Sequence, residues 1–168
     1  MTCMRYIIMV LLMSISCISN AQPSNYYIDI QTAVITISQY NKSLDGVDAY
    51  YILDLIKENA LRTGTNPNTI FGIIINESSF NSKAIGPGKY SQGIMQVNTR
   101  YHKSKFKYSP LDLEDNIRVG TDILRDCQIK AHNNLERTIY CYRGIRDIPY
   151  LARIKKFKQL SIFNPTKD

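Results

Sequence analysis

The residue best placed for chemistry is Glu77, an acid set directly behind the apolar run Ile70-Phe71-Gly72-Ile73-Ile74-Ile75 and a single Asn. A carboxyl group at the end of an apolar helix loses water, which disfavours its charged form and raises its pKa. Such a group stays protonated near neutral pH and can hand a proton to a leaving group. Ser78, Ser79 and Phe80 follow, then a loop punctuated by Gly86-Pro87-Gly88, then a second apolar turn, Gly93-Ile94-Met95-Gln96. The stretch from Asn66 to Asn98 suits one carboxylic acid held at the mouth of a groove, and no further Asp or Glu occurs before Asp112. Taken alone, a Glu in this position is more simply a polar residue ending a core helix, so the acid reading depends on its surroundings.

Other candidates carry less. His102 and His132 lack the carboxylate or cysteine spacing of a zinc site, so no metal and no cofactor is expected. Gly86-Pro87-Gly88 lacks the preceding strand, the Lys and the Ser/Thr of a phosphate-binding loop. The basic residues Arg100, His102, Lys103, Lys105 and Lys107, interleaved with Tyr101, Phe106 and Tyr108, have the composition of a single-strand nucleic-acid surface. A solvated face or anionic wall material fits them better in an exported protein, and no nucleic-acid partner is expected.

The elements that must position Glu77 are helical. From Val47, the residues Tyr50, Tyr51, Leu53, Leu55, Ile56, Ala60 and Leu61 recur at helical spacing, with Gly64 as a stop. Thr65 or Asn66 then caps a second helix, Pro67 falls in its tolerant first turn, and the apolar run buries it centrally. A further helix starts after Ser109-Pro110, with Asp112, Glu114 and Asp115 suited to its N-terminal dipole and Ile117, Gly120, Thr121, Ile123, Leu124 and Cys127 as its buried face. Another spans about Leu135 to Tyr142 and ends at Arg143-Gly144, and a last one runs from about Pro149 to Phe163 before a polar tail at 161–168. Residues 22–45 are ambiguous: Ile28, Ile30, Thr32, Val34 and Thr36 alternate like a strand, whereas Ala33, Ile37 and Tyr40 have helical spacing. A catalytic domain over 46–160 is the expected core unit, in a mainly α fold.

The ends and the composition set the compartment. Met1 to Arg5 carries one positive charge, Tyr6 to Ile18 is nearly all apolar, and Ser19-Asn20-Ala21 presents small residues before Gln22-Pro23. This predicts a secretory signal peptide over 1–21, with an apolar core too short for a permanent membrane span. Cys17 lacks the Leu-like residue three positions upstream that a lipidation site calls for. The 168 residues hold 21 Lys and Arg against 14 Asp and Glu, a formal charge of +7 that favours anionic partners. With 44% hydrophobic and 21% charged residues the chain is globular in composition, and its 12 Tyr supply flat amphipathic surface for cores and sugars alike. Export leaves Cys127 and Cys141 as candidates for a disulfide between successive helices, which would contribute ~3 kcal/mol; two buried free thiols are the alternative.

Read together, the motifs resemble the soluble lytic transglycosylase (SLT) domain, a relative of goose-type lysozyme. Glu77-Ser78-Ser79-Phe80-Asn81, then Ala84-Ile85, then Gly93-Ile94-Met95-Gln96 match its catalytic Glu-Ser signature and the Gly-Leu-Met-Gln segment that follows. Asp112 to Leu124 is similar to its Asp-Pro-Xaa-Xaa-Asn-Ile helix, and Cys141-Tyr142-Arg143-Gly144 occupies the place of its Ala-Tyr-Asn-Ala-Gly motif. The likeness covers roughly Tyr50 to Lys156, and several ordered motifs at compatible spacing are far more specific than any one of them.

The resemblance implies a lysozyme-like single domain with a substrate groove, and peptidoglycan glycan strands as the partner. It implies cleavage of the β-1,4 bond between N-acetylmuramic acid and N-acetylglucosamine, with Glu77 as acid and then base and 1,6-anhydromuramic acid as product. Gln96, Tyr142, Met95 and Ser78 are the substrate-binding candidates: Gln96 and Tyr142 match positions that line the groove, Met95 is either its floor or plain core, and Ser78 supports the helix end rather than reacting. Arg143 in place of the family's Asn, Gly86 where many members have Ser, and a slightly longer loop before Gly93 are departures. A periplasmic or extracellular enzyme follows, of the kind that opens the wall locally for secretion, conjugation or phage assemblies. A muramidase hydrolysing the same bond and a non-catalytic wall-binding assembly protein remain open alternatives.

Overall fold

The computed structural model describes residues 25–166. The expected signal peptide, its cleavage point, Cys3 and Cys17 lie outside the described residues. Strand β1 (Tyr26–Ile28) leads into α1 (Ile30–Tyr40), α2 (Gly46–Thr63) and α3 (Pro67–Ser78). A short helical turn (Pro87–Lys89) and the strands β2 (Ser91–Gln92) and β3 (Val97–Asn98) precede α4 (Thr99–His102). Then come α5 (Leu113–Lys130), α6 (Leu135–Arg143), α7 (Ile148–Gln159) and β4 (Phe163–Pro165). The fold is mainly α.

Capping explains where these helices begin. Asp29, Asp45, Asn66, Asp112, Asn134 and Asp147 each accept a hydrogen bond from a backbone amide three residues on, satisfying donors that have no partner inside the helix. Asn66 is thus the cap of α3, with Pro67 in its first turn.

Helix α3 is the centre of the molecule: every residue from Pro67 to Ile75 is buried. It packs chiefly against α7 and, on another side, against α2. Phe71 gathers Phe80, Phe157 and Phe163 edge-on, with ring centroids 5.3, 6.5 and 6.3 Å away. These contacts join four separate stretches of chain, and geometry of this kind adds to the area term of aromatic burial.

Two expectations fail at the ends. The last helix stops at Gln159 rather than Phe163, and the tail is not polar throughout, since Ile162 and Phe163 are fully buried. The backbone turns out of the helix at Ser161 (φ 51°) so that Phe163 can reach Phe71 and β4 can pair antiparallel with β1, Ile28 opposite Phe163. The side chain of Asn68 locks this arrangement, donating to Phe163 O (2.8 Å) and accepting from Phe163 N (3.0 Å). The ambiguous segment 22–45 resolves, over its described part, into strand and then helix: Asp29 ends the strand by capping α1, and Ala33, Thr36 and Ile37 form the buried stripe. This segment shares the core of the 46–160 unit, because Tyr40 meets Phe157 at 5.7 Å.

Cys127 on α5 and Cys141 on α6 are disulfide-bonded, with Cα atoms 5.6 Å apart. The bridge closes a loop with a sequence separation of 14 residues. Its reduction is expected to cost ~3 kcal/mol, a fall in Tm of about 10 °C, measurable by thermal denaturation with and without reductant. The double variant Cys127→Ser, Cys141→Ser should melt at the reduced protein's temperature and be indifferent to reductant.

Candidate active site

The last turn of α3 delivers Glu77, and the chain then reverses sharply. Ser79 and Phe80 both adopt left-handed backbone (φ 50° and 65°), a conformation that costs non-glycine residues energy. Burial of Phe80 against Phe71 offsets that cost and fixes the reversal. The Glu77 side chain is 10% exposed. Its Oε1 accepts a hydrogen bond from the Tyr150 hydroxyl at 2.9 Å and faces Arg143 Nη1 at 3.4 Å. Burial pushes the carboxyl up; Arg143 and the Tyr150 hydrogen bond pull it down, and the negative charge of Asp147 pushes up again. The balance leaves Glu77 above its ordinary value of 4.5. Its place at a helix C-terminus acts in the same direction as burial, since the partial negative charge there opposes a carboxylate.

A cleft of about 110 Å³ opens beside it. Its walls come from Ser91, Gln96, Val97 and Asn98 of the β2–β3 hairpin, His102 of α4, Ile123 of α5 and Tyr142 with Arg143 at the end of α6. Of the residues singled out from sequence, Glu77, Gln96 and Tyr142 therefore meet in one cleft. Met95 and Ser78 do not line it. Met95 is fully buried: its sulfur accepts from Thr121 Oγ1 at 3.9 Å and its carbonyl accepts from the Tyr142 hydroxyl at 2.8 Å, so it lies beneath the cleft wall as core. Ser78 donates back to Ile74 O within α3 (3.3 Å), and its surface faces a separate depression with Tyr40 and Ser43.

The hairpin is held against α5 by a polar hub that sequence reasoning missed. Asn116 is fully buried; its Oδ1 accepts from Met95 N (2.8 Å), and its Nδ2 donates to Gln92 O (2.9 Å) and Pro110 O (2.7 Å). Next to it Asp115, expected to serve only the helix dipole, is also buried. It accepts from Lys107 N, Tyr108 N and the Arg118 guanidinium. Burial pushes its carboxyl up, but the Tyr108 amide, Arg118 and the Lys107 amide together hold it below the usual carboxylate range.

Gln96 has both amide hydrogens committed, to Ala84 O (3.0 Å) and Gly93 O (2.9 Å). Its Oε1 lies 2.7 Å from where a Cβ on Gly86 would stand. A side chain at that position would have to displace this amide group, which its two hydrogen bonds hold in place.

Tyr150 and Asp147 had no assigned role from sequence, and His102 was placed only in the basic stretch after the hairpin. Tyr150 is buried and holds the catalytic candidate; Asp147 caps α7 through Tyr150 N (2.9 Å) while meeting Arg143 Nη2 at 3.5 Å; His102 lines the cleft. The only sequence signal for the first two is an Asp three residues before a Tyr at a helix start, a pattern common to ordinary caps.

The family model described as "Transglycosylase SLT domain" matches residues 54–149, more than half of the chain. The chain belongs to the transglycosylase SLT family. No solved structure matches it. The SLT match contains Glu77, Gln96, Tyr142, Arg143 and Asp147, and Tyr150 follows it directly. Membership makes the function of the lytic transglycosylase type, with peptidoglycan as substrate and the cell wall as the place of action. Among the described residues of this SLT protein, no helix is long and apolar enough to cross a membrane.

Proposed function

We propose that this SLT protein is a lytic transglycosylase that cuts the bond between N-acetylmuramic acid and N-acetylglucosamine with Glu77 as its one acid and base. The observation that carries this reading is that, among the described residues, Glu77 is the one carboxyl group lining the cleft, and that burial pushes that carboxyl above its ordinary range, which favours its protonated form. Among the described residues, both hydrogen bonds to it fall on Oε1, so Oε2 is the oxygen that meets the substrate. In the first step Glu77 gives its proton to the glycosidic oxygen as the bond to the muramic C1 breaks, while the substrate's own N-acetyl oxygen supports C1. In the second step the carboxylate takes the proton of the muramic O6 hydroxyl as that oxygen closes on C1. The acid is thereby restored and no water is consumed.

A two-carboxylate mechanism needs a second acid facing the same bond. Asp147 is near, but it does not line the cleft, and its oxygens are occupied by the α7 cap and Arg143. Gln96 and Tyr142 serve as the walls against which the sugars lie. The signal peptide expected over 1–21 supports export to the envelope, with local wall opening for a larger assembly as the biological setting.

Mass spectrometry of sacculi digested with the protein tests this. Muropeptides ending in 1,6-anhydromuramic acid, lighter by one water than their reducing counterparts, are the expected product. Reducing ends would make the protein a hydrolase, and tight binding to sacculi without release would make it a wall-binding protein.

A further inference from the structure

Arg143 is the residue at which this chain departs from its family at the cleft, and its surroundings are unusual for an arginine. The guanidinium lies over the Tyr150 ring, 4.7 Å from its centre, with Nη1 3.4 Å from Glu77 Oε1 and Nη2 3.5 Å from Asp147 Oδ2. Its Nε is buried and has no hydrogen-bond partner among the described residues. Both ion-pair contacts are long for charge-assisted bonds, which sit closer to 2.8 Å when one partner is served alone (about 2.7–2.9 Å). The cation is therefore suspended between two carboxylates rather than committed to either.

We infer that Arg143 and Asp147 form a positioning pair: Asp147 draws the guanidinium away from Glu77 and so sets how much positive charge the acid feels. This rests on Glu77 being the acid of the proposed reaction. A full Arg143–Glu77 pair would hold the carboxyl ionised and remove the proton that the first step needs. With no charge at 143, the carboxylate left after that step would have less support. An arginine shared with Asp147 serves both states of one residue that must act as acid and then as base.

The arrangement is built for this. Asp147 is held by its capping bond to Tyr150 N, so it is anchored at the same helix start that brings the Tyr150 hydroxyl to Glu77. The other charged or titratable groups facing the cluster are Tyr142 on α6, Arg153 on α7 and His102 on α4. Arg153 also sits over the Tyr150 ring, 5.8 Å from its centre, and bonds Asn76, and His102 lines the same cleft. Both tyrosines are pushed well above their ordinary range, by burial first and then by the charge of Glu77, so neither ionises while the enzyme works.

Carbon-13 NMR titration of the Glu77 carboxyl, assigned by its loss in Glu77→Gln, reads the effect without reference to activity. Asp147→Asn keeps the helix cap and removes the charge. It is expected to lower the Glu77 midpoint by about one pH unit, as the freed arginine moves onto Glu77. Arg143→Asn, or Arg143→Gln if the shorter side chain fails to fold, should raise it by about as much. In the variant lacking Arg143, Asp147→Asn should shift the midpoint less than half as far as it does in the parent, since the pair acts through the cation. An unmoved midpoint in Asp147→Asn, or an equal shift with and without Arg143, overturns the inference. A parent protein that releases no muropeptide at any pH would instead sink the proposed reaction and leave the titration result standing.

Discussion

Glu77→Gln is expected to reduce muropeptide release from sacculi by about 10³-fold or more, because it removes the proton donor of the first step and the acceptor of the second. The variant should also melt higher than the parent at neutral pH. Glu77 is buried, so its folded pKa lies above the ordinary carboxyl value of 4.5. From that value up to the raised one, the folded chain holds a proton that the unfolded chain gives up, so stability falls as pH rises through the window. Glutamine does not ionise and can still accept the Tyr150 hydrogen bond. The gain in Tm should therefore be small at pH 4 and grow toward pH 7, a trade of stability for function common at active sites. Melting curves of both proteins across this range check it; a variant that keeps wild-type activity, or that melts lower at pH 7, contradicts the assignment.

Gly93→Ala is expected to destabilise the protein by about 3 kcal/mol or more and to lose the cleft with it. Gly93 has φ 79°, and a Cβ there would stand 2.2 Å from Asn116 Nδ2 and 2.4 Å from Pro110 O. Neither neighbour can yield, since Pro110 O is backbone and Asn116 is the buried hub that joins the hairpin to α5. Gly144→Ala is the control. It has nearly the same dihedral, φ 72°, but a Cβ would meet nothing within 4 Å. Its cost should be only that of the left-handed backbone, about 1 kcal/mol. Urea denaturation of both variants separates the collision from the dihedral; equal costs would show that Asn116 does not brace the hairpin.

The parts of this protein that were legible in sequence are those set by local pattern. The apolar run before Glu77 predicted a buried helix with an acid at its end, and the structure buries Pro67 to Ile75 and leaves Glu77 at the cleft. Helix starts were legible wherever an Asp or Asn precedes an apolar period, as at Asn66 and Asp112. What escaped depends on contacts distant in sequence. Strands β1 and β4 are three residues each and exist because their partner arrives from the other end of the chain. Asn68 reaches Phe163 across 95 positions, so the tail looked polar when only its neighbours were weighed.

The same limit applies at the site. Met95 has the spacing of a core residue and of a groove floor, and only the closure of Thr121 and Tyr142 over it makes it core. Asp147 and Tyr150 looked like an ordinary helix start; their second role appears once α7 lies against the C-terminal end of α3. Arg143 was legible as a departure but not as a cation between two acids.

Digestion of sacculi in water enriched in oxygen-18 tests the central claim most directly. If Glu77 works alone and the muramic O6 closes on C1, the released ends are anhydro and carry no label. Oxygen-18 at the muramic C1 of the released ends would show that water is the nucleophile and would contradict the account.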